Sequence, residues 1–123
     1  MEDADLTGLI IGCAIEVHKA LGPGLLESAY HRCLKREFAL SGIRFASETP
    51  INITYKGDVL DCGFRADFVV EDRILVELKS VDNIAKIHHA QVLTYLKLTN
   101  LRMCLLINFN VTSLRHGLRR LRR

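Results

Sequence analysis

Phe64-Arg65-Ala66-Asp67-Phe68-Val69-Val70-Glu71-Asp72-Arg73-Ile74-Leu75-Val76-Glu77-Leu78-Lys79 is the stretch on which the fold turns. Two runs rich in β-branched and apolar residues, Phe64 to Val70 and Ile74 to Leu78, flank the polar Glu71-Asp72-Arg73 and read as a hairpin. Pairing outward from Asp72 sets Val70 opposite Ile74, Phe68 opposite Val76 and Ala66 opposite Leu78, which makes one face uniformly apolar. The other face carries Arg65, Asp67, Val69, Leu75, Glu77 and Lys79, with Asp67 directly across from Glu77. A register slip of one residue would separate the two carboxylates onto opposite faces.

Working outward, Leu6, Leu9, Ile10, Cys13, Ala14, Val17 and Leu21 recur at helical spacing until Gly22-Pro23-Gly24 stops them. A second helix is expected from Leu25, with Leu26, Ala29, Tyr30, Cys33, Leu34 and Phe38 inside and Ser41-Gly42 at its end. After Gly42 the period becomes two through Ile43, Phe45, Ile51, Ile53 and Tyr55, with a turn at Lys56-Gly57-Asp58. Beyond the hairpin, Ile84 to Leu98 returns to helical spacing, and Met103 to Ile107 is short enough for a buried strand. Residues 111–121 fit either a frayed strand or a short helix. The expected fold is α/β (α+β): an N-terminal helical pair, then a mixed central β-sheet flanked by helices, in one domain spanning residues 1–123.

The chain is 123 residues long, 49% hydrophobic and 25% charged, long enough for a core without disulfide or metal staples. Cys13, Cys33, Cys62 and Cys104 form no C-x-x-C pair, so free thiols are expected rather than a zinc or redox site. The longest apolar run falls short of the roughly 20 residues of a membrane span, and Glu2, Asp3 and Asp5 stand where a targeting signal would be basic. No membrane partner is expected, and the cytoplasm is the expected location. The net charge of +3 conceals an asymmetry, because Arg115, Arg119, Arg120, Arg122 and Arg123 lie in the last nine residues. Such a run suits a polyanion such as nucleic acid, or a solvated terminus.

Two carboxylates facing each other at about 4.5–5.5 Å between Cβ atoms repel unless a cation or a shared proton relieves them. Lys79 shares their face. Two carboxylate oxygens and a backbone carbonyl make a hard site suited to Mg²⁺ or Mn²⁺, and an adjacent ammonium can orient a water, which is the chemistry of hydrolysis. The other reading is a solvated strand face on which Lys79 pairs with Asp67 or Glu77.

Asp67, nine residues, then Glu77-Leu78-Lys79 resembles the split metal-binding motif of the PD-(D/E)XK nuclease superfamily. Gly24-Leu25-Leu26-Glu27-Ser28-Ala29-Tyr30 resembles the signature of its GxxExxY branch. Similar too are His18 to Gly24, Tyr55-Lys56-Gly57, Arg65-Ala66-Asp67, Val76 to Lys79, Ala90 to Leu96 and Leu105 to Phe109, so that the resemblance covers nearly the whole chain. Ala66 departs from the pattern, which has proline before the aspartate.

The resemblance implies a restriction-endonuclease-like core and a Mg²⁺-dependent nuclease, with Mn²⁺ able to substitute. Asp67, Glu77 and the Leu78 carbonyl become metal ligands, Lys79 the catalytic lysine, Glu27 a further carboxylate and Gln91 a supporting glutamine. With Gln91, Tyr95 one turn further and His88 one turn earlier could line one edge of the pocket. Glu27 also fits a plain helix-dipole role, Gln91 and Tyr95 fit core packing through hydrogen bonds, and His88 fits the surface. Arg65 would hold a phosphate or neutralise the carboxylates. Arg115, Arg119 and Arg120 would contact nucleic acid, DNA before RNA. The alternatives are a binding module that cuts nothing and a protein-interaction domain, and a homodimer fits the small size.

Overall fold

The computed structural model describes residues 1–123. Helix α1 runs Asp3–Leu21 and buries Leu6, Ile10, Cys13, Ala14 and Val17 on one stripe. It starts earlier than its apolar period, because Asp3 and Asp5 favour the positive end of the helix dipole. Helix α2 runs Glu27–Leu40 with Leu26 as its N-cap, two residues later than expected. Leu26 is therefore exposed and leaves the inner stripe, which keeps Tyr30, Leu34 and Phe38.

Five strands form one mixed sheet in the order β1 (Phe45–Pro50), β4 (Arg65–Val70), β5 (Ile74–Lys79), β6 (Met103–Asn108) and β7 (Leu118–Arg122). The β4–β5 hairpin has the expected register, Val70 against Ile74 and Phe68 against Val76. Glu71 and Asp72 both have positive φ, and Arg73 donates its N–H to the Val70 carbonyl at 3.0 Å, closing the tight turn that right-twisted strands favour. Helix α3 (Lys86–Thr99) crosses from β5 to the parallel β6. Because helices cover both faces, residues 74–78 of β5 and all of β6 are buried, and both read as apolar runs, broken in β5 only by Glu77 and closed in β6 by Asn108.

The core divides across the sheet. Phe68, Val70, Val76, Leu78 and Ile107 pack under α1 and α2, whereas Leu75, Cys104 and Leu106 pack under Val92, Tyr95 and Leu96 of α3. Ala66 belongs to the α3 side, not to the face of Phe68 as strand alternation implies, because regular pairing of β4 with β5 stops at Phe68–Val76.

Two further expectations change. Strands β2 (Ile53–Tyr55) and β3 (Asp58–Leu60) form their own ribbon instead of continuing a meander, since β1 already pairs with β4 through Pro50 and Arg65. Residues 111–121 contain a 3₁₀ turn, Leu114–Gly117, leading into β7, which is an ordered edge strand antiparallel to β6. Gly117 permits that turn: a Cβ there would overlap the Asn108 carbonyl oxygen. Gly117→Ala is expected to lower stability by about 1–3 kcal/mol, as overpacking does, read by urea denaturation with an unchanged m-value.

Candidate active site

The point where the β4–β5 ladder stops is occupied by the two carboxylates. The Asp67 N–H donates to Glu77 Oε1 at 3.0 Å, and the Leu78 N–H donates to Asp67 Oδ2 at 2.7 Å. Each side chain thus replaces a strand carbonyl as acceptor and keeps its second oxygen for other partners. Glu77 is 6% exposed. Burial first, and the Asp67 charge next, push its carboxyl up to about 9, and the proton it retains is hydrogen-bonded to Asp67. The shared proton is the relief that facing carboxylates require.

Lys79 ends β5, half-buried, beside Asn108 of β6. It enters none of the ion pairs, so the reading in which it merely bridges to Asp67 or Glu77 is not what forms. Its charge nevertheless lowers the carboxyls of both Glu77 and Glu27, which places all three in one field.

The Gly-x-x-Glu-x-x-Tyr stretch explains how Glu27 gets there. Gly22 and Gly24 take positive φ in the α1–α2 turn, and the Gly24 N–H donates to Asn110 Oδ1 at 3.0 Å. The fully buried Tyr30 donates its hydroxyl to the Gly22 carbonyl at 2.6 Å, accepts the Leu25 N–H at 3.2 Å, and stacks on Phe109 at 4.5 Å. Ser80, next to Lys79, donates to the Leu25 carbonyl at 2.6 Å. The glycine turns the chain, the tyrosine locks the turn, and Glu27, one helical turn earlier, is presented toward Asp67 and Lys79. Partial desolvation and then the Asp67 charge raise its carboxyl, while Lys79 and His31 pull it down.

A cavity of about 320 Å³ opens over this arrangement, lined by Glu27, Ser28, His31, Arg32, Glu48 and Asp67. His31 and Glu48 are additions to the set read from sequence. His31 stacks on Phe68 at 4.4 Å and sets Nε2 3.3 Å from the Asp67 carbonyl oxygen. Its position four residues after Glu27 was the available signal. Glu48 has φ 52° and lies between Ser47 and Thr49, the partners of Phe68 and Ala66, hence across from Asp67. No local pattern announces a pairing between strands so far apart in sequence.

Other expected residues are placed differently. Tyr95 lies near the pair, since burial and then the charges of Glu77 and Asp67 raise its hydroxyl. Gln91, half-buried one turn earlier on α3, hydrogen-bonds no protein group. His88 accepts the Ala85 N–H at 2.9 Å and so serves the start of α3. Arg65 is held by Asp61 at 3.1 Å and does not neutralise Asp67 or Glu77. Arg115 is exposed in the 3₁₀ turn, and Arg119 and Arg120 project to opposite faces of β7. Leu106 separates Arg119 from Glu77 in register, which puts their backbones about 10 Å apart.

The donor set fits a hard divalent cation, since each of the two carboxyl groups has an oxygen beyond the one that accepts a backbone N–H, and no cation of the chain pairs with either. No group of three or more His, Cys, Asp or Glu residues gathers to enclose an ion, so water and substrate oxygens would complete its shell. No helix is long and apolar enough to cross a membrane.

Comparison with known proteins agrees with this geometry. No curated protein and no solved structure matches the chain. A family model described as the PD-(D/E)XK nuclease superfamily matches residues 4–121 and so runs from the first turn of α1 through the hairpin and α3 into β7. Proteins of that superfamily generally use divalent metal ions. With a model match over nearly its full length, and an Asp67, Glu77, Lys79 set on a β-hairpin, the chain belongs to the PD-(D/E)XK nuclease superfamily.

Proposed function

We propose that the chain, within the GxxExxY branch, is a Mg²⁺-dependent nuclease that hydrolyses phosphodiester bonds in nucleic acid, DNA before RNA, with Mn²⁺ able to replace Mg²⁺. The observation that carries this reading is the Asp67–Glu77 pair, each carboxyl accepting a backbone N–H from the other strand, with the unpaired Lys79 alongside. Asp67, Glu77 and the Leu78 carbonyl would hold the ion, with Glu27 completing its outer shell. A divalent ion there supplies Lewis-acid polarisation of the phosphate and lowers the pKa of water.

The remaining work falls to side chains. Lys79 orients the attacking water and donates to phosphate oxygens as charge builds on them, in a half-buried setting where such a hydrogen bond is stronger than in water. Gln91, with no protein partner, positions Lys79 or the substrate. Glu27, whose carboxyl is raised by burial and by Asp67, is placed to take up the proton that the attacking water releases.

Titration of Mn²⁺ by calorimetry tests the site. Wild type should bind saturably and the Asp67→Ala, Glu77→Ala double variant should not, and Mg²⁺ should then support cutting of plasmid and oligonucleotide substrates. No binding at millimolar metal, with nucleic acid absent and then present, would overturn the reading. Metal and nucleic-acid binding without cleavage would favour the second reading, a binding or interaction module with a nuclease fold.

A further inference from the structure

The cavity over the carboxylates does not stand alone. A second hollow of about 570 Å³ shares His31, Arg32 and Glu48 with it and continues along α2 past Lys35 and Arg36 to Phe45. Positions 28, 32, 35 and 39 recur at three and four residues, so one face of α2 forms a wall of both hollows. The groove changes sign along its length. Glu27 and Asp67 lie at one end and Lys35 and Arg36 at the other, with Arg32 and Glu48 between them lining both hollows.

The three cations are exposed and none enters an ion pair, so their charge is not cancelled within the protein. The opposite wall is β1, an edge strand with one side of its backbone free of a ladder partner. The C-terminal arginines are arranged otherwise. Arg119 and Arg120 lie at the far edge of the sheet on opposite faces of β7 and line neither hollow.

Resting on the nuclease reading, we infer that the groove between α2 and β1 is the track of the substrate strand: its phosphates lie against Arg32, Lys35 and Arg36, and the strand runs on to the carboxylates. From Glu27 to Arg36 the helix advances about 13 Å, the length of about four phosphates of one strand at B-form spacing. Specificity follows from the same geometry, because three cations on a helix face read backbone charge and not base edges.

The test is binding in EDTA, where cleavage is silent, by fluorescence anisotropy of labelled oligonucleotides of about 20 residues as single-stranded DNA, duplex DNA and RNA, across a salt series. The Arg32→Gln, Lys35→Gln, Arg36→Gln variant keeps good helix formers at exposed positions, and circular dichroism confirms its fold. Its slope of log affinity against log salt should shrink by about 2–3, with binding at least about tenfold weaker at about 0.1 M salt. The matching Arg119→Gln, Arg120→Gln, Arg122→Gln variant should change the slope by less than about 1. An unchanged slope in the α2 variant, or the larger loss in the β7 variant, would overturn the track and leave the nuclease reading intact. Wild type that binds none of the three probes at low salt would remove the nucleic-acid reading and the track together.

Discussion

Lys79→Ala is expected to reduce phosphodiester cleavage by at least about 10²- to 10³-fold at saturating metal, the loss seen when one donor to a developing oxyanion is removed. Two features make the test clean. Lys79 contributes no ion pair to the fold, so the variant should stay folded and unfold cooperatively in urea. Its charge also lowers the Glu77 and Glu27 carboxyls, so its removal raises both and weakens metal binding near neutral pH. The two effects separate experimentally. Excess Mn²⁺ restores occupancy but not rate, and a variant cutting as fast as wild type at saturating metal would remove Lys79 from the chemistry. Lys79→Arg is not expected to rescue, because the fork of a guanidinium presents its donors differently from a point ammonium.

Metal-free protein should lose stability as pH rises, and Glu77→Gln should flatten that loss. Glu77 has an ordinary value of 4.5 and a folded value of about 9, so between them the folded chain holds a proton that the unfolded chain has released. The contribution is fully present below about pH 4.5 and disappears as pH climbs through about 9, at up to about 1.4 kcal/mol per pH unit. The raised Glu27 carboxyl adds a term of the same sign. The thiols of Cys13 and Cys104 are also raised, but from 9.0, so they act only at higher pH. In Glu77→Gln the amide oxygen still accepts the Asp67 N–H and its NH₂ takes over the donation to Asp67, without a titrating proton. Denaturation in EDTA from about pH 5 to about pH 8.5 reads the difference. Parallel profiles for the two proteins would show that Glu77 is already ionised. In wild type, metal binding near neutrality should release a proton, visible as a dependence of calorimetric heat on buffer ionisation enthalpy.

What was legible in the sequence was local. The β4–β5 register from Phe68–Val76 to Val70–Ile74 needs only the turn at Glu71–Arg73 and the alternation on either side, and although the ladder stops there, that arithmetic was enough to bring Asp67 and Glu77 together. Helices α1 and α3 follow from apolar spacing over many residues, and β6 from an apolar run too short for a helix. The pairing of β1 with β4 was not legible, because residues 51–64 intervene and no turn signal spans them. With that pairing hidden, so were the departure of the β2–β3 ribbon, the α3-side packing of Ala66 and the approach of Glu48 to Asp67. Residues 111–121 failed for another reason: Leu118 and Leu121 of β7 are three apart, half-buried on opposite faces of an edge strand, so they follow no regular period. The role of Tyr30 needed the folded turn, since a hydroxyl bonded to the backbone of Gly22 and Leu25 has no signature beyond its spacing.

The acceptor roles of Asp67 and Glu77 bear on how such a site would decay. Both carboxylates close hydrogen bonds that would otherwise be missing from the middle of the sheet, so selection for folding alone retains them. Lys79 closes none with its side chain, and folding imposes no comparable demand on its ammonium. In a lineage freed from the chemistry, the lysine should drift first while the acidic pair persists, which makes position 79 the one whose occupancy reports a working site.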